Sequence, residues 1–267
     1  MKFEKVIIMT DLDGTLLDDK KQISGKDMES IDEFRRGGGL FTLATGRGVA
    51  MARNIVDKLR VDIPCVIFNG AAVYDFTADK FLWHSSMPDC AADYIRTLAK
   101  EFPDIGIEIL HAEKVYVTNY NQTVEEHMAL ESIVPVRCTL EEAPKEDWLK
   151  VLIAYPPEKI ERIIEFTKNN CNIGVNWVHS SPMYYEMLPE GISKGAGYKK
   201  LLEIIGKTDY FTVASGDFGN DYEMVRTADL GVAVANAQQP VKDAAKLIVG
   251  DNNSSPMSQI IEHIRTL

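Results

Sequence analysis

Short apolar, β-branched runs alternate with segments whose apolar residues recur at helical spacing, and this alternation occurs near both ends of the chain. It is the pattern of parallel α/β layers. Val6 to Thr10 reads as a buried strand, and Met28, Ile31 and Phe34 then recur at helical spacing before the Gly37-Gly38-Gly39 stop. Leu40 to Ala44 is a second strand; Val49, Ala52, Ile55, Val56 and Leu59 stripe the next helix, and Cys65 to Phe68 makes a third strand. The rhythm resumes with a helix from Lys194 to Ile205, a strand from Phe211 to Ala214, a helix after Asn220, a strand from Leu230 to Val234 and a last helix from Pro256. Between about Phe81 and Pro189 the texture differs. Val115 to Thr118, Leu149 to Tyr155, Ile173 to Val178 and Met183 to Leu188 predict strands, several alternating, and Pro156-Pro157 opens a helix striped by Ile160, Ile163 and Ile164. The expected organisation is an α/β domain carrying an inserted α+β module.

Size and charge narrow the function classes. A chain of 267 residues can bury a core without disulfide or metal staples. Its apolar runs are far shorter than the ~18 residues of a bilayer span, and the start of the sequence has no cleavable apolar leader. A cytoplasmic protein is expected, with no membrane partner. The net charge of −11 argues against a nucleic-acid surface, which needs clustered Lys and Arg. It leaves room for a small phosphorylated substrate, because a bound cation or one basic residue can reverse the sign inside a pocket. Cys65, Cys90, Cys138 and Cys171 lie far apart and read as reduced thiols. The five histidines lack metal-protease spacing.

The chemistry lies at strand ends. In an open α/β sheet the ligand crevice lies outside the carboxyl ends of the strands, and the first strand ends in Thr10-Asp11-Leu12-Asp13-Gly14-Thr15. Alternate residues of an extended segment face one side, so Asp11 and Asp13 can serve one centre, as a hard-metal site or an acid/base pair. A bare D-x-D is also a common polar loop. Thr45-Gly46-Arg47 ends the second strand before a helix, where a hydroxyl and free N–H groups make a small anion site or an ordinary cap. Lys194 at a helix start opposes the macrodipole, a conflict that a carboxylate or a phosphate would remove. In Gly216-Asp217-Phe218-Gly219-Asn220-Asp221, the spacing of Asn220 and Glu223 fits a capping box. Capping leaves Asp217 unexplained, and a third strand-end carboxylate suits a metal.

In order and placement, Asp11-Leu12-Asp13-Gly14-Thr15, Leu43-Ala44-Thr45-Gly46-Arg47, Asn69-Gly70-Ala71, Ile192-Ser193-Lys194-Gly195 and Gly216 to Asp221 resemble the motifs of the haloacid dehalogenase-type phosphatases. The resemblance is to the Cof-type sugar-phosphate phosphatases (class II, subclass IIB), with a large cap inserted after the second motif. It runs from the first strand to Gly231-Val232-Ala233-Val234-Ala235-Asn236-Ala237, where Ala235 replaces a common glycine. It implies a Rossmann-like doubly wound parallel core, residues 1–80 plus 190–267, and a C2-type cap, residues 81–189. It implies Asp11 as the nucleophile forming an aspartyl-phosphate and Asp13 as the general acid and base. Magnesium would be held by Asp11, the Asp13 backbone carbonyl and Asp217, with Asp221 as ligand or neighbour. Thr45, Gly46 and Lys194 would grip the phosphoryl oxygens, and Asn220 would reach the substrate. A small phosphorylated metabolite is the implied partner; its identity and the oligomeric state stay open. A phosphosugar mutase of the same superfamily and a receiver-like phosphorylatable domain are the alternatives, and the inserted module of ~100 residues counts against the receiver.

Overall fold

The structure, a computed structural model, describes residues 3–112 and 114–267. β1 (Val6–Thr10), α1 (Gly25–Arg36), β2 (Leu40–Leu43), α2 (Val49–Leu59) and β3 (Cys65–Ile67) follow one another as the sequence predicts. Ser24 caps α1 by accepting the Asp27 N–H at 3.0 Å, and Ile31 and Phe34 turn inward. After a single 3-10 turn at Phe68–Gly70 come β4 (Ala72–Asp75) and β5 (Lys80–His84), which join β3 in a three-stranded sheet. This hairpin is absent from the sequence reading.

The middle of the chain holds α3 (Cys90–Glu101), β6 (Gly106–His111), β7 (Val115–Asn119), α4 (Gln122–Leu130), β8 (Val136–Arg137), β9 (Trp148–Ala154), α5 (Pro157–Asn170), β10 (Val175–Ser181) and β11 (Tyr184–Pro189). Its six strands form one sheet in the order β10-β11-β9-β6-β7-β8. One face buries Ile107, Ile109, Val151, Ile153 and Met187 against Ala91, Ile95 and Leu98 of α3 and Ile160 and Ile163 of α5. The alternate residues of β6, β9 and β11 bury ion pairs instead: Glu108 with His127 at 2.8 Å, and Lys150 with Glu186. β10 starts two residues later than predicted, because Gly174 takes φ +74 and leaves Ile173 outside, 77% exposed.

The chain then returns through α6 (Lys194–Ile204), β12 (Phe211–Gly216), α7 (Tyr222–Thr227), β13 (Leu230–Ala233), α8 (Gln239–Ala244), β14 (Leu247–Ile248) and α9 (Pro256–Ile264). These strands complete a parallel five-stranded sheet in the order β14-β13-β12-β1-β2. Winding runs outward from β1 to β2 and, on the later half, outward from β12 to β14. The switch point therefore falls between β1 and β12, where a doubly wound sheet opens its crevice. Met9 pairs with Ala214 and Thr10 with Ser215, so Asp11 and Asp217 emerge beside each other at that point.

Two compact units result: Met1–Gly46, Arg53–Trp83 and Ser193–Leu267 form one, and Arg47–Ala52 with His84–Ile192 the other. No helix among the described residues is long and apolar enough to cross a membrane.

Candidate active site

The site is built on the ends of β1 and β12 and the first turn of α6. Asp11 continues the ladder of β1, its N–H donating to the Ser215 carbonyl at 3.0 Å, while the Thr10 hydroxyl donates to the Asp11 carbonyl at 2.9 Å. The turn beyond is closed by the Leu17 N–H on the Leu12 carbonyl at 2.8 Å. Gly14 sits in this turn at φ +79, and a Cβ there would stand 2.5 Å from an Asp217 oxygen. Only glycine lets this loop lie against that carboxylate. The neighbouring Thr15 hydroxyl donates to Asp217 Oδ1 at 3.1 Å, and the Asn236 amide holds the Gly14 carbonyl at 2.8 Å.

Asp11, Asp217 and Asp221 each offer an oxygen, and these oxygens lie within 4.8 Å of one another. Lys194 enters the group from α6, where Ser193 is the N-cap. Its Nζ donates to Asp11 Oδ1 and to Asp221 Oδ1, each at 2.6 Å, with the lysine side chain 1% exposed. The conflict between a cation and a helix N-terminus is thus removed by two carboxylates. Asp221 does more: its Oδ2 accepts the Asp217 and Phe218 N–H groups at 3.0 and 3.2 Å, fixing the loop that presents Asp217.

These contacts shift the protonation equilibria. Burial opposes the charged form of Lys194, but Asp11 and Asp221 outweigh it and hold the ammonium pKa above its ordinary value. Burial, then Asp221, pushes Asp217 up to about 7. Burial raises Asp11 as well, with Asp221 and Asp217 adding to it and Lys194 opposing. Three crowded carboxylates beside one ammonium are short of positive charge. Oxygen donors with that deficit fit a hard dication.

The residues expected from the sequence fall into groups. Asp11, Lys194, Asp217 and Asp221 come together around one centre. The Asp13 carboxylate lies outside that group of oxygens: the turn after Leu12 carries it to a half-exposed position, where Lys21 Nζ meets it at 2.7 Å. Thr45 is buried at the end of β2, its N–H on the Val66 carbonyl and its carbonyl accepting the Asn69 N–H, both at 3.0 Å. Gly46 follows it, against the Asn69 side chain. Asn220 and Glu223 do not form the capping box that their spacing predicts. The Asn220 amide donates to Asn69 Oδ1 at 3.0 Å, Glu223 accepts the Ser193 hydroxyl, and Asp221 takes the loop N–H groups instead. Lys21, Thr15, Asn69 and Asn236 were given no role from sequence. Thr15, Asn69 and Asn236 stand in motifs quoted above, and nothing local marks Lys21.

This constellation has close parallels. The model of the haloacid dehalogenase-like hydrolase family matches residues 8–261. The 5-amino-6-(5-phospho-D-ribitylamino)uracil phosphatase YcsE of Bacillus subtilis is 26% identical over 263 residues, covering 96% of this chain and 94% of its own. The pyridoxal phosphate phosphatase YbhA of Escherichia coli is 26% identical over 266 residues, covering 96% and 97%. A haloacid dehalogenase-like hydrolase from Bacteroides thetaiotaomicron superposes with a TM-score of 0.82 at 26% identity, over 98% of this chain and 100% of its own. With its motifs, switch point and match over nearly the whole length in agreement, the chain belongs to the haloacid dehalogenase-like hydrolases, in their Cof type, and is a phosphoric monoester hydrolase.

Proposed function

We propose that the protein is a magnesium-dependent phosphatase of small phosphorylated metabolites, sugar phosphates foremost, working through an aspartyl-phosphate on Asp11. The observation that carries this reading is the buried ammonium of Lys194 bridging Asp11 and Asp221 beside Asp217. Bound by Asp11, the Asp13 backbone carbonyl and Asp217, with Asp221 as ligand or neighbour, magnesium would neutralise charge on the phosphoryl oxygens. Lys194 spends two of its three N–H groups on carboxylates, so one remains for a phosphoryl oxygen. The Thr45 hydroxyl and the Gly46 N–H complete the grip, and Asn220 reaches the substrate.

An Asp11 oxygen attacks phosphorus as the bond to the leaving oxygen breaks, and Asp13 gives that oxygen its proton. Water then attacks phosphorus, its proton passes to Asp13, and the bond to Asp11 breaks to release phosphate. The pairing of Asp13 with Lys21 is a half-exposed one, of the kind that contributes little. The inserted residues 81–189 act as the cap and choose the leaving group. Both relatives named above act on compounds whose phosphate sits on a larger organic group, and the same breadth is expected here. Burial pushes the Cys65 and Cys171 thiols up to about 11, and unpaired, unreactive thiols suit the cytoplasm.

The test is a magnesium-supported screen of phosphorylated metabolites, hexose, pentose and triose phosphates, pyridoxal phosphate and nucleotides, scored by kcat/KM for phosphate release. Turnover that releases inorganic phosphate and stops on chelation is expected. An isomerised sugar phosphate without phosphate release would make the protein a mutase; a phosphoprotein that accumulates without turnover would make it a receiver.

A further inference from the structure

The Asn69-Gly70-Ala71 motif has no part in the chemistry above, yet its geometry demands a reason. Phe68, Asn69 and Gly70 take φ of +52, +55 and +101 in succession. A phenylalanine in the left-handed region is unfavourable, and such strain persists only where the surroundings impose it. Here two contacts do so. The Asn69 N–H donates to the Thr45 carbonyl, and Gly70 lies so close to the start of α6 that a Cβ would stand 1.9 Å from the Ser193 carbonyl oxygen. The strained turn is thereby clamped between the Thr45 loop and the turn that presents Lys194.

The side chain of Asn69 adds an independent observation. It is 1% exposed, and its Oδ1 accepts the Asn220 amide at 3.0 Å. Its own Nδ2 and the Oδ1 of Asn220 are shielded from solvent and have no hydrogen-bond partner among the described residues. Buried amide groups are normally paired, so the unspent ones point to an absent ligand. Turning both carboxamides over would only exchange their roles, because one N–H would still be spent between them and the others left over. Asn69 Oδ1 and Nδ2 lie 3.0 and 3.2 Å from where a Cβ on Gly46 would stand, and Asn220 precedes the Asp221 that holds Lys194. The leftover N–H groups of Asn69 thus sit beside Gly46, one of the groups assigned to the phosphoryl oxygens.

We propose that Asn69 is a further phosphoryl-binding residue, whose carboxamide interlocks with that of Asn220 so that the pair donates N–H groups to the transferring phosphoryl group. The proposal rests on the phosphatase reading given above. The strained turn is then the device that holds this pair, Gly46 and the Lys194 helix in one fixed arrangement.

The experiment compares the wild type with Asn69→Gly, Asn69→Asp, Asn220→Ala and the double variant Asn69→Gly/Asn220→Ala. Glycine accepts the left-handed backbone while removing the amide. Aspartate keeps an oxygen to accept from Asn220 but replaces the N–H donor by an anionic acceptor. Inorganic phosphate binding in the presence of magnesium is measured by calorimetry, and kcat and KM on p-nitrophenyl phosphate alongside it. Asn69→Gly should weaken phosphate roughly 10- to 100-fold, as expected for a hydrogen bond to a charged group. Asn69→Asp should lose at least as much, and the double variant no more than the worse single one. Should the glycine variant fail to fold, the aspartate variant decides alone. Wild-type phosphate affinity in Asn69→Asp would reduce the residue to a structural anchor and overturn the proposal, as would losses that multiply in the double variant. A wild type that turns over while its variants match it refutes this inference alone; a wild type that neither binds nor releases phosphate refutes the phosphatase reading and this inference with it.

Discussion

Replacing Lys194 by methionine isolates the electrostatics at the centre of the site. Methionine is unbranched and of similar length, so it fills most of the space of the buried Lys194 side chain. The ammonium is lost from two contacts of 2.6 Å, and the Asp11 and Asp221 side chains facing it are 7% and 0% exposed. Removing one partner of a buried pair strands the other charge, at a cost of about 3–5 kcal/mol. Here two carboxylates are stranded beside Asp217, so the upper part of that range is expected. Against a total stability of roughly 5–15 kcal/mol this is a large fraction. Urea unfolding at pH 7 in chelator should show a midpoint well below that of the wild type. Asp221→Asn in the Lys194→Met background should recover part of the loss, because it removes one stranded charge while keeping an oxygen for the Asp217 and Phe218 N–H groups. Magnesium at 100 times its dissociation constant should restore about 2.7 kcal/mol. If Lys194→Met lies within about 1 kcal/mol of the wild type, the scale of a surface pair, the ammonium does not neutralise these carboxylates. A double variant less stable than the single would refute the reasoning equally.

Three other features carry predictions of their own. Asp11→Asn should abolish turnover while the protein still folds and binds phosphate, because the amide keeps the shape but not the nucleophile; steady-state kinetics and calorimetry check this, and residual kcat above a few per cent contradicts it. Gly70→Ala should destabilise by several kcal/mol, since the new Cβ meets the Ser193 carbonyl oxygen at 1.9 Å and φ is +101; an unchanged melting temperature would show that the turn is not clamped. Glu108 holds His127 above its ordinary pKa of 6.5 against the opposing effect of burial. The pair's contribution is therefore complete below the unfolded value and fades as pH rises through the folded one. The melting-temperature gap between the wild type and His127→Gln should be widest at acidic pH and narrow above neutrality; a flat gap would exclude a charged imidazole.

The parallel core is legible because β1, β2 and β12 are largely buried on both faces and so appear as mainly apolar runs, interrupted only by buried Thr and Ser. Their ends are legible for the same reason: once an apolar run stops at Asp11 or Asp217, the next polar residue stands at the crevice. β6 escapes notice because Glu108 interrupts Gly106-Ile107-Glu108-Ile109-Leu110-His111, and only the tertiary pairing with His127 explains a carboxylate in a buried strand. The hairpin of β4 and β5 is missed because the expected boundary at residue 81 cuts through it. Asn220 illustrates a different limit. Its spacing to Glu223 fits a local cap, but its partner is Asn69, 151 residues away, and a local pattern carries no trace of such a competitor.

The acidity of the whole chain and its affinity for a phosphorylated substrate are compatible because the relevant sum is local. Fully ionised, the three carboxylates at the switch point and one ammonium sum to two negative charges, which is the charge a dication cancels. Once cancelled, the remaining N–H of Lys194 and the first turn of α6 present a positive surface at short range. The rest of the net charge of −11 lies away from this centre, and exposed charges are screened within about 8 Å at physiological salt. Substrate binding should therefore weaken sharply when the dication is withheld, and respond only slightly to neutralising acidic residues on the far surface.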